Sequence, residues 1–147
     1  KKSDFMQSFN LNLVSATEII KSLADNLKSS KGSIVLFSTV AVQQGFPNHA
    51  IVSSAKGAVE GLTLALAAEY APNIRVNCIA PSLTNSKISN FLLKNEKMAE
   101  SIAKMHPLRR IGKGEDSASV AKFLLTDESS WITGQIFGVD GGRSSVA

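Results

Sequence analysis

The strongest constraint in this sequence is an alternation between two periods. The runs SIVLFS (Ser33–Ser38) and IRVNCIA (Ile74–Ala80) are short, apolar and bear β-branched residues, as expected of strands covered on both faces. Ahead of the first run, Phe5, Phe9, Leu13, Ala16, Ile20, Leu23 and Leu27 recur at spacings of three and four. This predicts one long amphipathic helix from Asp4 to about Lys28, ended by SSKGS. Between the runs, Ile51, Ala55, Ala58, Val59, Leu62 and Leu66 mark the buried face of a second helix that reaches about Tyr70, where Pro72 and Asn73 stop it. Helical character returns in ISNFLLKNEKMAESIAKM and in EDSASVAKFLLT, and QIFGVDGG reads as the last strand.

Strands alternating with helices build an α/β fold, a doubly wound parallel sheet with helices on both faces. Residues 1–147 are expected to form a single domain. Three strands are few for such a sheet, and a helix with no strand before it comes first. A further N-terminal portion is therefore expected, and the open edge beside SIVLFS would be an aggregation liability unless another segment or chain covers it.

Charge and cysteine usage narrow the classes of function. The formal charge is +4, but the basic residues are scattered singly, which argues against a nucleic-acid groove. The near-cluster Leu108–Arg110 lacks interleaved aromatics and reads as a solvated loop. The single cysteine, Cys78, lies inside an apolar run, so it reads as a small buried hydrophobe in a reducing compartment. No apolar stretch is judged to approach the ~18 residues of a membrane span, and KKSDFMQSFN lacks the apolar core of a signal peptide. A cytoplasmic protein without membrane contact is the expectation. His49 and His106 share no ligand spacing with each other or with Cys78, so no metal site is expected.

Ligands of doubly wound sheets sit beyond the carboxyl ends of the strands. The residues just after each apolar run are therefore the informative ones. After the first come the hydroxyls of Ser38 and Thr39; after the second, PSLTNS offers Thr84, Ser86 and backbone groups. Lys56 belongs to the same end if its helix starts near Ala50. A lysine there can bind ribose hydroxyls or lower the pKa of a neighbouring phenol, but it can equally be an ordinary surface lysine.

From about Phe9 to Arg143 the chain resembles the C-terminal part of the short-chain dehydrogenase/reductase family. FNLNL, GSIVLFSTVA, SSAKGAVEGLTLALAAEYAPNIRVNCIAPS, HPLRRIGKGED and SSWITGQIFGVDGG carry the resemblance, in order and at family spacing. It implies the C-terminal portion of a Rossmann-like fold and an NAD(P)-dependent oxidoreductase that moves hydride between a nicotinamide and a small-molecule carbonyl or alcohol. NADP is slightly favoured over NAD. By the same resemblance Asn12 supports a proton-relay water through its backbone, Thr39 polarises the carbonyl with Ser38 directly before it, and Lys56 binds the nicotinamide ribose. Pro81, Ser82, Leu83, Thr84 and Ser86 would contact the cofactor. A homo-oligomer, dimer or tetramer, pairing through the long helices is implied too. Gly57 and Gly61 would permit close approach there or against the chain's own sheet.

The chain departs from the family at three places. Val52 stands one turn before Lys56, where the catalytic tyrosine belongs, and an isopropyl group donates no proton. Ser82 stands where glycine is usual. The glycine-rich turn that holds the pyrophosphate is absent from the sequence, so this chain by itself is expected to bind a dinucleotide poorly. Tyr70, the only tyrosine, lies about 27 Å further along the same helix at the usual rise. His49 is the nearest other acid–base group, and Ser53 or Ser54 reads as a helix cap. Impaired chemistry follows, with a catalytically inactive structural or oligomerisation subunit as the alternative.

Overall fold

The computed structural model describes residues 1–146. Three parallel strands, β1 (Ser33–Phe37), β2 (Arg75–Pro81) and β3 (Ile136–Val139), form one sheet in the order β1-β2-β3. Leu36 stands opposite Cys78, and Cys78 opposite Ile136. The sheet is the expected doubly wound parallel kind. The β1 edge away from β2 has no strand beside it among the described residues.

The first helix departs from the expected regular one. It runs as α1 (Lys2–Phe9), a π-helical turn (Asn10–Val14) and α2 (Ser15–Ser29). Single π turns commonly interrupt α-helices at functional positions, and this one holds Asn12. Its side-chain amide donates to the Ser8 carbonyl at 2.9 Å, the acceptor that a regular helix would give to the Asn12 backbone N–H. The expected stripe is only partly covered. Ile20 is buried, whereas Phe5 and Leu23 are exposed, because α4 (Ala50–Tyr70) covers the stripe unevenly.

Helix α4 ends where the sequence pattern ends, at Tyr70, and buries Ala55, Val59, Thr63, Leu66 and Ala67. Its length and apolarity would let it cross a membrane by composition alone, contrary to the sequence expectation. The sheet takes part of its apolar side. Ile34 and Val76 join Ile20, Leu66, Ala67 and Ile74 in one core cluster on that face.

Side chains alternate across a strand, so Ser33 and Arg75 point to the other face, where α7 (Gly114–Leu125) packs. The Ser33 hydroxyl and the Arg75 guanidinium both donate to the Leu124 carbonyl, at 2.7 and 3.0 Å. Helices thus cover both faces. The connection from β2 to α7 contains α5 (Asn90–Leu93) and α6 (Glu96–Lys104), two pieces where one helical stretch was expected. Asn95 divides them: its side chain accepts from the Met98 backbone N–H and caps α6.

Asn77 is fully buried in the middle of β2 and is satisfied on both sides. Its amide donates to the Ile132 carbonyl and its oxygen accepts from the Gln135 N–H, both at 3.0 Å. These bonds fix the approach to β3.

Candidate active site

The carboxyl ends of β1 and β2 open into a cavity of about 860 Å³, within the usual range for a small-molecule site. Ser38, Thr39, Pro81, Ser82, Leu83, Thr84 and Ser86 all line it. Ser38 and Thr39 follow one strand and Thr84 and Ser86 the other, more than forty residues on, with Pro81, Ser82 and Leu83 added by the family resemblance; the parallel pairing of β1 with β2 brings all seven to one space. Val52, Lys56 and Asn12 are not among the lining residues.

Two adjacent hydroxyls at the tip of β1 face different neighbours. Ser38 is buried and donates to the Glu60 carboxylate at 2.5 Å. Thr39 is half-buried, and its oxygen accepts only a long bond of 3.3 Å from the Ala41 N–H. The Thr39 hydroxyl therefore keeps its proton for a ligand oxygen. Glu60, the partner of Ser38, was not singled out in the sequence, although it lies one helical turn beyond Lys56 on the same face.

Helix α4 starts beside this tip. Its short predecessor α3 (Ala41–Gln44) is tied to it by the Ser53 hydroxyl, which donates to the Ala41 carbonyl at 3.0 Å. The Ser54 hydroxyl bonds back to Ala50 at 2.7 Å. Neither serine caps the helix: His49 holds the cap position without a side-chain bond to the first turn. Val52, in that first turn, is 37% exposed. One turn on, the Lys56 ammonium donates to the Phe37 carbonyl at 2.9 Å. Burial lowers the Lys56 pKa, and the neighbouring Cys78 only partly offsets it.

The far wall comes from two loops that dock on one another. Thr84 and Gly112 form a parallel bridge, with Gly112 N–H donating to Leu83 and Asn85 N–H to Gly112. A Cβ at Gly112 would stand 3.0 Å from the Thr84 hydroxyl and 3.3 Å from the Leu83 carbonyl, so a side chain there would have to push the two loops apart by a few tenths of an ångström. The Ser89 hydroxyl donates to the Thr84 carbonyl at 2.6 Å and accepts from the Ser86 N–H at 2.9 Å, which shapes PSLTNS into a compact turn.

Ser82, the residue in place of glycine, has a specific partner. His106 is 2% exposed, and its Nδ1 lies 2.8 Å from the Ile102 carbonyl. That nitrogen must carry the proton, because a carbonyl only accepts. In the neutral ring Nε2 is then the acceptor for the Ser82 hydroxyl, 2.8 Å away.

The profile of the enoyl-(acyl carrier protein) reductase family matches residues 1–144. The chain belongs to the short-chain dehydrogenase/reductase family.

Relatives in this family include dehydrogenase/reductase SDR family member 4 of Rattus norvegicus, 37% identical over 92% of this chain and 50% of that protein. A short-chain type dehydrogenase/reductase from Mycobacterium ulcerans superposes with a TM-score of 0.91 at 29% identity, over 98% of this chain and 53% of that one. A gluconate 5-dehydrogenase from Burkholderia cenocepacia, solved with NADP and tartrate, superposes at 0.93 with 25% identity, over 100% of this chain and 58% of that one. The chain spans about half the length of the curated short-chain dehydrogenase/reductase relatives it matches.

Proposed function

We propose that this chain is the substrate-end portion of an NAD(P)-dependent oxidoreductase that interconverts a carbonyl and an alcohol, with turnover impaired by Val52. One observation supports it best: the cavity at the strand tips gathers the Thr39 hydroxyl and the Pro81–Ser86 stretch around a single space. The polar, compact turn at Thr84–Ser89 suits the nicotinamide end of a dinucleotide. The glycine-rich turn needed for its pyrophosphate is not in this sequence.

A bound nicotinamide would supply or take the hydride. Thr39 would donate to the substrate oxygen and hold it in place. Lys56, anchored on the Phe37 carbonyl, would steady the cofactor ribose and favour ionisation of a phenol one turn away. No phenol is there. The alkoxide formed on carbonyl reduction would have no proton donor at position 52, and a well-placed general acid contributes about 10²–10⁴-fold.

The test uses the complete gene product. NADH and NADPH are titrated by fluorescence, with NADPH expected to bind more tightly, and carbonyl reduction is assayed before and after Val52→Tyr. Binding with weak turnover that rises about a hundredfold or more in the variant supports this reading. Absence of nucleotide binding overturns it.

A second reading, a non-enzymatic oligomerisation subunit, is favoured by the open helix surfaces. Leu11, Val14, Ile19 and Leu64 are exposed on the long helices, and a Cβ at Gly61 would meet nothing within 4 Å. A second copy packed through these helices fits that surface. Such a subunit would form dimers or tetramers in sedimentation while binding no nucleotide. A cytoplasmic location belongs to either reading.

A further inference from the structure

Arg143 stands apart from the groups used so far. It lines the 860 Å³ cavity, and among the described residues it is the only permanently charged one that does, with no Asp or Glu side chain beside it. Its guanidinium lies over the Phe46 ring, 4.9 Å from the centroid, and Phe46 in turn meets His49 edge to face at 5.5 Å. Nη1 is buried and has no hydrogen-bond acceptor among the described residues. An unmet buried N–H of a charged group is costly, and most such groups in folded proteins have partners.

Among the described residues no carboxylate forms an ion pair with it. Asp140, three residues earlier, is taken up by the Gly142 N–H at 2.9 Å, the Ser144 N–H at 2.8 Å and the Ser144 hydroxyl. Burial works to raise its pKa, but these bonds outweigh it and hold the carboxyl ionised below its ordinary value. The turn that delivers Arg143 is well fixed. Gly141 and Gly142 have positive φ, and the Leu108 N–H donates to the Gly141 carbonyl at 3.1 Å. A guanidinium has a fork of N–H donors that matches a planar two-oxygen acceptor, and the ring over which Arg143 lies takes none of them as a hydrogen-bond acceptor oxygen would. Phe46 and His49 belong to the segment between Thr39 and Val52, so this wall adjoins the carbonyl-binding hydroxyl.

We propose that Arg143 anchors a carboxylate on the substrate, so that the compounds handled in this cavity are oxo acids and the matching hydroxy acids. This rests on the oxidoreductase reading and adds the substrate class. Arg143 binds the end of the molecule remote from the reacting carbon, and Thr39 takes its carbonyl oxygen.

The test is a binding measurement on the complete gene product, independent of turnover. Levulinate and methyl levulinate share a ketone and differ in charge. Calorimetric titration with and without NADPH is expected to give levulinate an affinity about tenfold or more above the ester. Arg143→Met should abolish the preference, with folding checked by thermal melting. If that variant does not fold, Arg143→Lys carries the test, since a point charge lacks the planar fork and the preference should shrink. Equal affinity for acid and ester, no binding of levulinate, or a preference that survives Arg143→Met overturns the proposal. So does a loss of NADPH affinity in that variant with the acid preference intact, because the guanidinium would then serve the cofactor. Charge-selective binding without hydride transfer, even in Val52→Tyr, supports the carboxylate anchor and overturns the redox reading alone.

Discussion

The ammonium of Lys56 is bonded to the carbonyl of Phe37 at 2.9 Å, which pins the first turns of α4 to the tip of β1. Lys56 is thereby held near the place where a phenol at position 52 would need it. The gain in carbonyl reduction from Val52→Tyr should therefore vanish in Val52→Tyr/Lys56→Met. In Val52→Tyr alone, the positive charge favours phenolate, so the phenol should titrate below the usual ~10. The rate profile of the variant against pH reads both effects.

Ser82 and His106 form a closed pair against Ile102. Ser82→Gly restores the usual family residue but leaves the buried Nε2 of His106 without its donor. Stability should fall by about 1–3 kcal/mol, the cost of an unmet buried polar atom. Urea denaturation of the wild type and the variant measures it, and a stability change within error would show that water replaces the hydroxyl.

Asn77 satisfies one donor and one acceptor in the loop that leads to β3. Asn77→Leu strands both, for a loss of about 2–6 kcal/mol at 1–3 per group. Asn77→Asp keeps only the acceptor side and adds a buried charge. Both variants should melt well below wild type, with Asn77→Asp recovering in part as the pH is lowered and the carboxyl is protonated.

Cys78 is fully buried, and burial, helped by Glu60, pushes its thiol pKa from 9.0 to about 11. Native protein at pH 8 should react with a thiol reagent only at the rate of unfolding, and fully once denatured. The linked stability has a definite sign. A raised folded-state pKa favours the folded chain fully below pH 9, and that contribution is lost as the pH rises from 9 to 11. Cys78→Ala should show a weaker decline over the same window.

Much of the frame was legible because periodicity is a local signal. The pattern from Ile51 to Leu66, closed by Pro72, placed α4 to its last residue, and the two apolar runs located β1 and β2 within one residue at either end. Ser38, Thr39, Thr84 and Ser86 stand out by their place after those strands, whereas Asn12, Val52, Pro81, Ser82, Leu83 and the role of Lys56 come from the family resemblance. What escaped depended on partners distant in sequence. Asn77 reads as a blemish in an apolar run, although an asparagine in a doubly covered strand signals that something must satisfy it. Glu60 acquires meaning only once Ser38 packs on it, and Arg143 is one scattered basic residue until the Gly141–Gly142 turn brings it over Phe46. Phe5 and Leu23 keep helical period yet stay exposed, since periodicity reports a face but not whether anything covers it.

The π turn at Asn10–Val14 makes the first helix two surfaces spliced at a seam. The wider turn takes in an additional residue, which offsets the rotational phase of everything upstream by roughly 100° relative to a regular helix. Removing one residue there would straighten the coil and swing Phe5 and Phe9 to a different compass bearing. The seam thus acts as a length gauge: this helix tolerates point changes along its outer side far better than any insertion or deletion that alters the count of residues before Ser15.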